Sequence, residues 1–225
     1  MGTQGINKLV SISITQEITK NSSTKNQLKN EFELKALTYT NLYEQGRYED
    51  ALVEVLSSNK KYNKIAGYHN ILGKIQQALN NLETGIESFK KAVEIQPDFY
   101  EAYNNLGVAY LRIGRTDSAY SAYRKAIDIN PTYAECYNNI GLYWSKLGDF
   151  NEALKNFSIT LKLRPNLPEA YNNVATIFMK IRRTPDAVDM LKKALQLKPF
   201  FAEAHNNLGN AHKSLGRFEA ATKSY

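Results

Sequence analysis

Pro97, Pro131, Pro165 and Pro199 follow one another at intervals of 34 residues, and a chain that sets its helix breaker at one fixed interval is committed to a row of like units. The same interval carries Gly73, Gly107, Gly141 and Gly209, with Ala175 in the remaining place. It also carries Ala51, Ala119, Ala153, Ala187 and Ala221, with Gly85 completing that column. Small residues in register mark surfaces where two helix backbones approach. Leu72, Leu106, Ile140, Val174 and Leu208 form an apolar column, and Tyr103, Tyr137 and Tyr171, flanked by His69 and His205, an aromatic one.

Within one unit, Tyr100 to Ile113 places apolar residues at helical spacing, Gly114-Arg115 turns the chain, and Asp117 to Ile129 repeats the pattern before Asn130-Pro131 stops it. Each unit is therefore a helix hairpin. Gly46, Gly114, Gly148 and Gly216 fall at the turn, where a helix must end and the chain reverse; Asn80 and Arg182 interrupt that column. Pro168 and Pro185 each sit in the first turn of a helix, where the missing N–H has no intrahelical partner to lose.

These columns resemble the tetratricopeptide repeat family, whose pattern sets an aromatic, Leu-Gly, a later Tyr, an Ala, an aromatic and a Pro at fixed offsets. The units from Tyr100 and Ala134 match nearly throughout. The one from Pro168 departs at Ala175 and Arg182, and the one from Ala66 at Asn80 and Gly85. The resemblance implies an all-α fold, a right-handed α-solenoid of about five to six antiparallel helix hairpins. The units run 66–99, 100–133, 134–167, 168–201 and 202–225. Residues 32–65 keep only Gly46, Tyr48 and Ala51, with Lys35, Thr38 and Tyr39 at positions that are normally core, and read as a degenerate repeat or cap. Residues 1–31, rich in Asn, Ser, Thr and Lys and without periodicity, read as a mobile tail.

The last unit starts at Ala202 and the sequence ends at Tyr225, short of a full unit. Solenoids close with a polar capping element, so Phe218, Ala221 and Tyr225 are expected to stand uncovered. That pattern suits a fragment or an array that docks end to end, which makes self-association through this end an alternative reading.

Asn105, Asn139, Asn173 and Asn207 repeat at the period, each preceded by another asparagine, Asn104, Asn138, Asn172 and Asn206, with Asn70 alone in the first clear unit. Asparagine is a mediocre helix former, so a mid-helix column of it needs a reason. A side-chain amide offers a donor and an acceptor and can pair with any peptide bond. In this respect the chain is similar to the arrays of O-linked N-acetylglucosamine transferases, and that resemblance implies an extended peptide held in a groove lined by the first helices. It also admits an alternative, the substrate-recruiting N-terminal part of a glycosyltransferase or sulfotransferase whose catalytic domain is absent here. Other family members clamp the C-terminal carboxylate of heat-shock chaperones with lysines and an arginine. Here Lys74 is the one basic residue at those positions, which argues against a co-chaperone role.

Glu101, Glu135, Glu169 and Glu203 recur in the first turns of the first helices, and Arg112, Lys146 and Lys180 in the last. Both columns complement the helix macrodipole, and the basic one is a candidate contact for acidic residues of a partner. The formal net charge of +7 is spread along the helices without a Lys/Arg block, so a nucleic-acid partner is not expected.

No apolar run reaches the roughly 20 residues that span a bilayer, and membrane insertion is not expected. The single Cys136 excludes an internal disulfide and favours a reducing, cytoplasmic setting. No metal or cofactor is expected: His205 and His212 lie two turns apart without a third ligand at metal spacing, and His69 stands alone. Cys136 has no neighbouring base, and the glycines are used by the repeat or the tail rather than by a phosphate loop. An enzyme is not indicated.

Overall fold

The computed structural model describes residues 26–225. The described residues are helical hairpins in two compact units, one running to Ala102 and the other from Tyr103 to Tyr225. No helix among them is long and apolar enough to cross a membrane.

In the first unit, α1 (residues 26–44) is followed by α2 (Tyr48–Ser57), the single turn α3 (Asn59–Tyr62), α4 (Ala66–Ala78) and α5 (Leu82–Ile95). Helix α1 covers residues 26–31, which the sequence assigned to the tail; residues 1–25 lie outside the described residues. The reason is visible in its inner stripe. Leu28, Phe32, Ala36, Tyr39 and Tyr43 follow helical spacing and join a core with Val55, Tyr62, Tyr68, Leu72 and Ile75. Tyr39 is fully buried, and its hydroxyl donates to Ser58 Oγ at 2.9 Å. Lys35 stays exposed and pairs with Glu54 at 2.6 Å, and Thr38 is exposed.

In the second unit α6 (Tyr100–Arg112), whose first turn contains the boundary, pairs with α7 (Thr116–Ile129). Then α8 (Ala134–Leu147) pairs with α9 (Phe150–Leu163), α10 (Pro168–Lys180) with α11 (Thr184–Leu197), and α12 (Ala202–Ser214) with α13 (Phe218–Ser224). Second helices pack on the first helices that follow them: Ala153 and Phe157 of α9 share a core with Val174 and Ile177 of α10.

Every first helix ends in the same way. The N–H of Arg47, Asn81, Arg115, Asp149, Arg183 and Arg217 bonds back to the carbonyl five residues earlier, at 2.7–3.0 Å, the Schellman closure. The residue before each has positive φ, from Gly216 at 70° to Gly148 at 84° among the glycines, and Asn80 and Arg182 adopt the same left-handed backbone at 62° and 61°. The two interruptions in the glycine column therefore leave the turn unchanged.

The hairpin contact itself rests on glycine. A Cβ at Gly107 would lie 2.5 Å from the Tyr123 ring, at Gly141 2.5 Å from Phe157, at Gly209 2.5 Å from Tyr225 and, in the first unit, at Gly73 2.6 Å from Phe89. Each ring comes 16 residues after its glycine. Where the glycine is Ala175, the residue 16 later is Leu191, and the two share one core. A larger floor is matched by a smaller lid. Tyr225 lies on Gly209 and donates to Asn210 Oδ1 at 2.8 Å yet is 66% exposed; Phe218 is exposed as well, and of the three residues expected to stand uncovered only Ala221 is buried, at 5% exposure.

His69 belongs to the core of the first unit. Its Nε2 donates to the Asn63 carbonyl at 2.8 Å, so Nδ1 is the unprotonated nitrogen, and it is buried without a partner. Burial pushes this imidazole below its ordinary value, against the opposing effect of the Asn63 carbonyl.

Two outcomes follow from this packing. Gly141→Ala should lower the urea midpoint, because overpacking of about 1–3 kcal/mol exceeds the helix-propensity gain of about 0.5–1 kcal/mol. Adding Phe157→Leu, which recreates the Ala175–Leu191 pair, should leave a loss smaller than the sum of the single losses by about 1 kcal/mol; simple additivity would refute the coupling. For His69, the unfolded chain takes up a proton near 6.5 that the folded chain resists, so stability falls as pH drops through that range. The thermal midpoint should therefore fall less in His69→Gln than in the wild type between about pH 7.5 and about pH 5, and an equal fall would refute the assignment.

Candidate functional site

The asparagine columns lie on the face formed by α6, α8, α10 and α12, and their geometry explains why they come in pairs. Asn139 Nδ2 donates to Asn104 Oδ1 at 2.9 Å, Asn173 to Asn138 at 3.0 Å, and Asn207 to Asn172 at 2.9 Å. Each bond runs from the second asparagine of one repeat to the first asparagine of the repeat before it. Two of the acceptors lie deeper, Asn104 at 5% exposure and Asn172 at 1%, while Asn138 is half-buried like the donors. A buried amide without a partner costs about 1–3 kcal/mol, so the ladder satisfies these groups and joins neighbouring first helices.

The donors are half-buried and use one group each. The Oδ1 of Asn139, Asn173 and Asn207, and the second N–H of each amide, have no partner within the described protein. Asn172 Nδ2 goes on to Glu203 at 2.9 Å. Asn70 and Asn105 are half-buried and engaged within the protein. Asn206 is exposed and lines a separate recess with Phe200, Lys223 and Tyr225.

The acidic column closes hairpins from outside: Glu135 pairs with Arg164, and Glu169 with Lys198 at 3.1 Å, each from the first turn of a hairpin to its end. These pairs are half exposed and contribute at most about 1 kcal/mol each. In the basic column, Lys146 Nζ donates to the Leu111 carbonyl at 2.9 Å, meeting the C-terminal end of α6 with positive charge. Lys180 lies 5.5 Å above the Phe150 ring, and Arg112 is engaged within the protein.

Between α6 and α8 the two columns meet around a recess of about 310 Å³. Its walls are Val108, Leu111 and Leu142, with Tyr123 behind them, and Asn139, Arg112 and Lys146 stand at its edge. Sequence reasoning found the polar edge and missed the apolar walls. Their signal was a departure from the period: the column Lys74, Val108, Leu142, Thr176 and Asn210 is aliphatic only at two successive places.

The remaining reactive groups are spread out. His205 Nε2 meets the Pro199 carbonyl at 2.9 Å, the same relation that His69 has with Asn63. His212 has its Nδ1 buried without a partner, and burial, then Arg217 and Lys192, holds it below its ordinary value. No group of three or more His, Cys, Asp or Glu among the described residues could hold a metal ion. Cys136 is fully buried, and burial pushes its thiol up to about 12, opposite to what its place in the first turn of a helix would do. Its Sγ donates to the Tyr123 carbonyl at 3.5 Å.

A model of the tetratricopeptide repeat matches residues 202–225, and a model described as the tetratricopeptide repeat protein 21 C-terminal ARM domain matches residues 12–209. No curated protein matches the sequence. Solved structures share the fold at low identity. A chain of the APC/C hetero-tetramer Cut9–Hcn1 superposes with a TM-score of 0.75 at 20% identity; the match covers 83% of this chain and 37% of that one, so this chain spans little more than a third of it. PilW, a type IV pilus biogenesis factor, gives 0.75 at 24% identity over 85% of this chain and 89% of that one. YrrB, described as a tetratricopeptide repeat protein with an unusual peptide-binding site, gives 0.54 at 18% identity over 76% and 88%. With hairpins in a 34-residue register and a family model matched along most of its length, the chain belongs to the family of the tetratricopeptide repeat protein 21 C-terminal ARM domain.

Proposed function

We propose that this protein is an interaction scaffold that holds an extended segment of a partner protein along the face of its first helices. The observation that carries the reading is the half-used asparagine column. Asn139, Asn173 and Asn207 each keep a carbonyl oxygen and an N–H without a partner among the described residues, on amides already fixed in orientation by the column behind them. That pair of groups complements a peptide bond and is blind to side chains. Neighbouring packed helices lie about 8–10 Å apart and an extended chain rises about 3.3 Å per residue, so one asparagine would meet roughly every third residue. Each contact is worth about 0.5–1.5 kcal/mol, and binding would come from several together. The peptide-binding site described for YrrB, a relative in fold, is compatible with this use of the surface. The single buried cysteine suits a reducing compartment such as the cytoplasm.

The test is selection of phage-displayed 12-residue peptides on the immobilised chain, with affinities of the selected peptides read by fluorescence anisotropy. Asn139→Ala and Asn173→Ala, checked for folding by circular dichroism, should each weaken every selected peptide by about 2- to 12-fold, the range of one such hydrogen bond. Lys155→Ala on the exposed side of α9 should change nothing. Failure to select any peptide, or full binding by both asparagine variants, would overturn the reading.

A further inference from the structure

We infer that the recess between α6 and α8 is a side-chain subsite that selects an aliphatic residue flanked by an acidic one. The inference rests on the proposed reading of the asparagine face and adds to it what that face cannot supply, a preference among sequences.

The walls argue for an aliphatic occupant. At the positions of Val108 and Leu142, the other repeats carry Lys74, Thr176 and Asn210; at the position of Leu111, they carry Gln77, Ser145, Met179 and Lys213. Among the described repeats these columns are aliphatic at all three adjoining places only here, and Leu142 is 41% exposed. Open apolar surface among polar neighbours gains from being covered. At about 310 Å³ the recess is at the small end of ligand pockets, with room for one or two side chains.

The edge argues for an acidic neighbour. Arg112 and Lys146 flank the same recess, and Lys146 spends one N–H on Leu111 while its ammonium carries three. Charge of one sign beside an apolar pocket favours a partner of the opposite sign and disfavours a basic one. Asn139 borders the recess as well, so the groups that would hold backbone and those that would read a side chain are adjacent.

The experiment uses the 12-residue peptides selected on the whole chain. Their sequences should share an aliphatic residue next to Asp or Glu, and the wild type should prefer a synthetic Leu peptide at least tenfold over its Ser counterpart. Leu142→Thr, which installs the residue found at Thr176, should bring that preference within twofold and leave the affinity for the Ser peptide unchanged. Arg112→Ala with Lys146→Ala should remove the preference for Asp over Asn and keep that for Leu over Ser. Selected sequences without the aliphatic–acidic pair, or a Leu preference that survives Leu142→Thr, would overturn the subsite while leaving backbone holding intact. If no peptide is selected, both readings fall.

Discussion

The contact on which the structure depends is an aromatic ring lying on a glycine 16 residues before it. Gly107 under Tyr123, Gly141 under Phe157 and Gly209 under Tyr225 leave no room even for a methyl group, so two helices of a hairpin can approach only through that point. Once the approach is fixed, the small column at Ala119, Ala153 and Ala187, all fully buried, lets the backbones stay close beyond it. The hairpin then presents Phe157 and its neighbours to the next first helix. Each unit leaves one face apolar, and the following unit covers it.

A row of hairpins joined only by apolar packing could slide, because apolar contact is non-directional. The asparagine bonds remove that freedom. A donor on one first helix meets an acceptor on the previous one at 2.9–3.0 Å three times over, and a slip of one residue would leave buried amides such as Asn172 unpaired. The ladder thus sets the alignment of successive first helices. It also fixes the outward half of Asn139, Asn173 and Asn207, and on the proposed reading that prior orientation would reduce the entropy lost on binding.

What could be read from the sequence was whatever the chain enforces locally. Proline, the turn glycines and the small columns act within one hairpin, and their spacing gave the fold. Asn80 and Arg182 seemed to break the pattern because residue type is only a preference at such a turn; the backbone bonds that close it are made by any residue. The start of α1 was hidden because Lys29, Asn30 and Glu31 separate Leu28 from Phe32, so the stripe shows only at helical spacing. The pairing of asparagines was hidden for another reason. Donor and acceptor stand 35 residues apart, and the column alone does not tell which member faces inward. The recess needed two helices and two columns at once, and it was visible only as an exception.

That exception bears on how a periodic scaffold can be selective at all. Repetition gives a surface of uniform chemistry, and an amide ladder offers every peptide bond the same pair of groups, so it adds affinity without discrimination. Specificity is a difference between affinities, and it can arise only where the period fails. In the second unit it fails on the first-helix face at Val108, Leu111 and Leu142, beside two cations. The units that best match the repeat pattern are also those that hold this departure, at positions facing outward where the hairpin packing does not constrain the residue. On the proposed reading, fold and selectivity are written in different columns of the same helices, and one can change without the other.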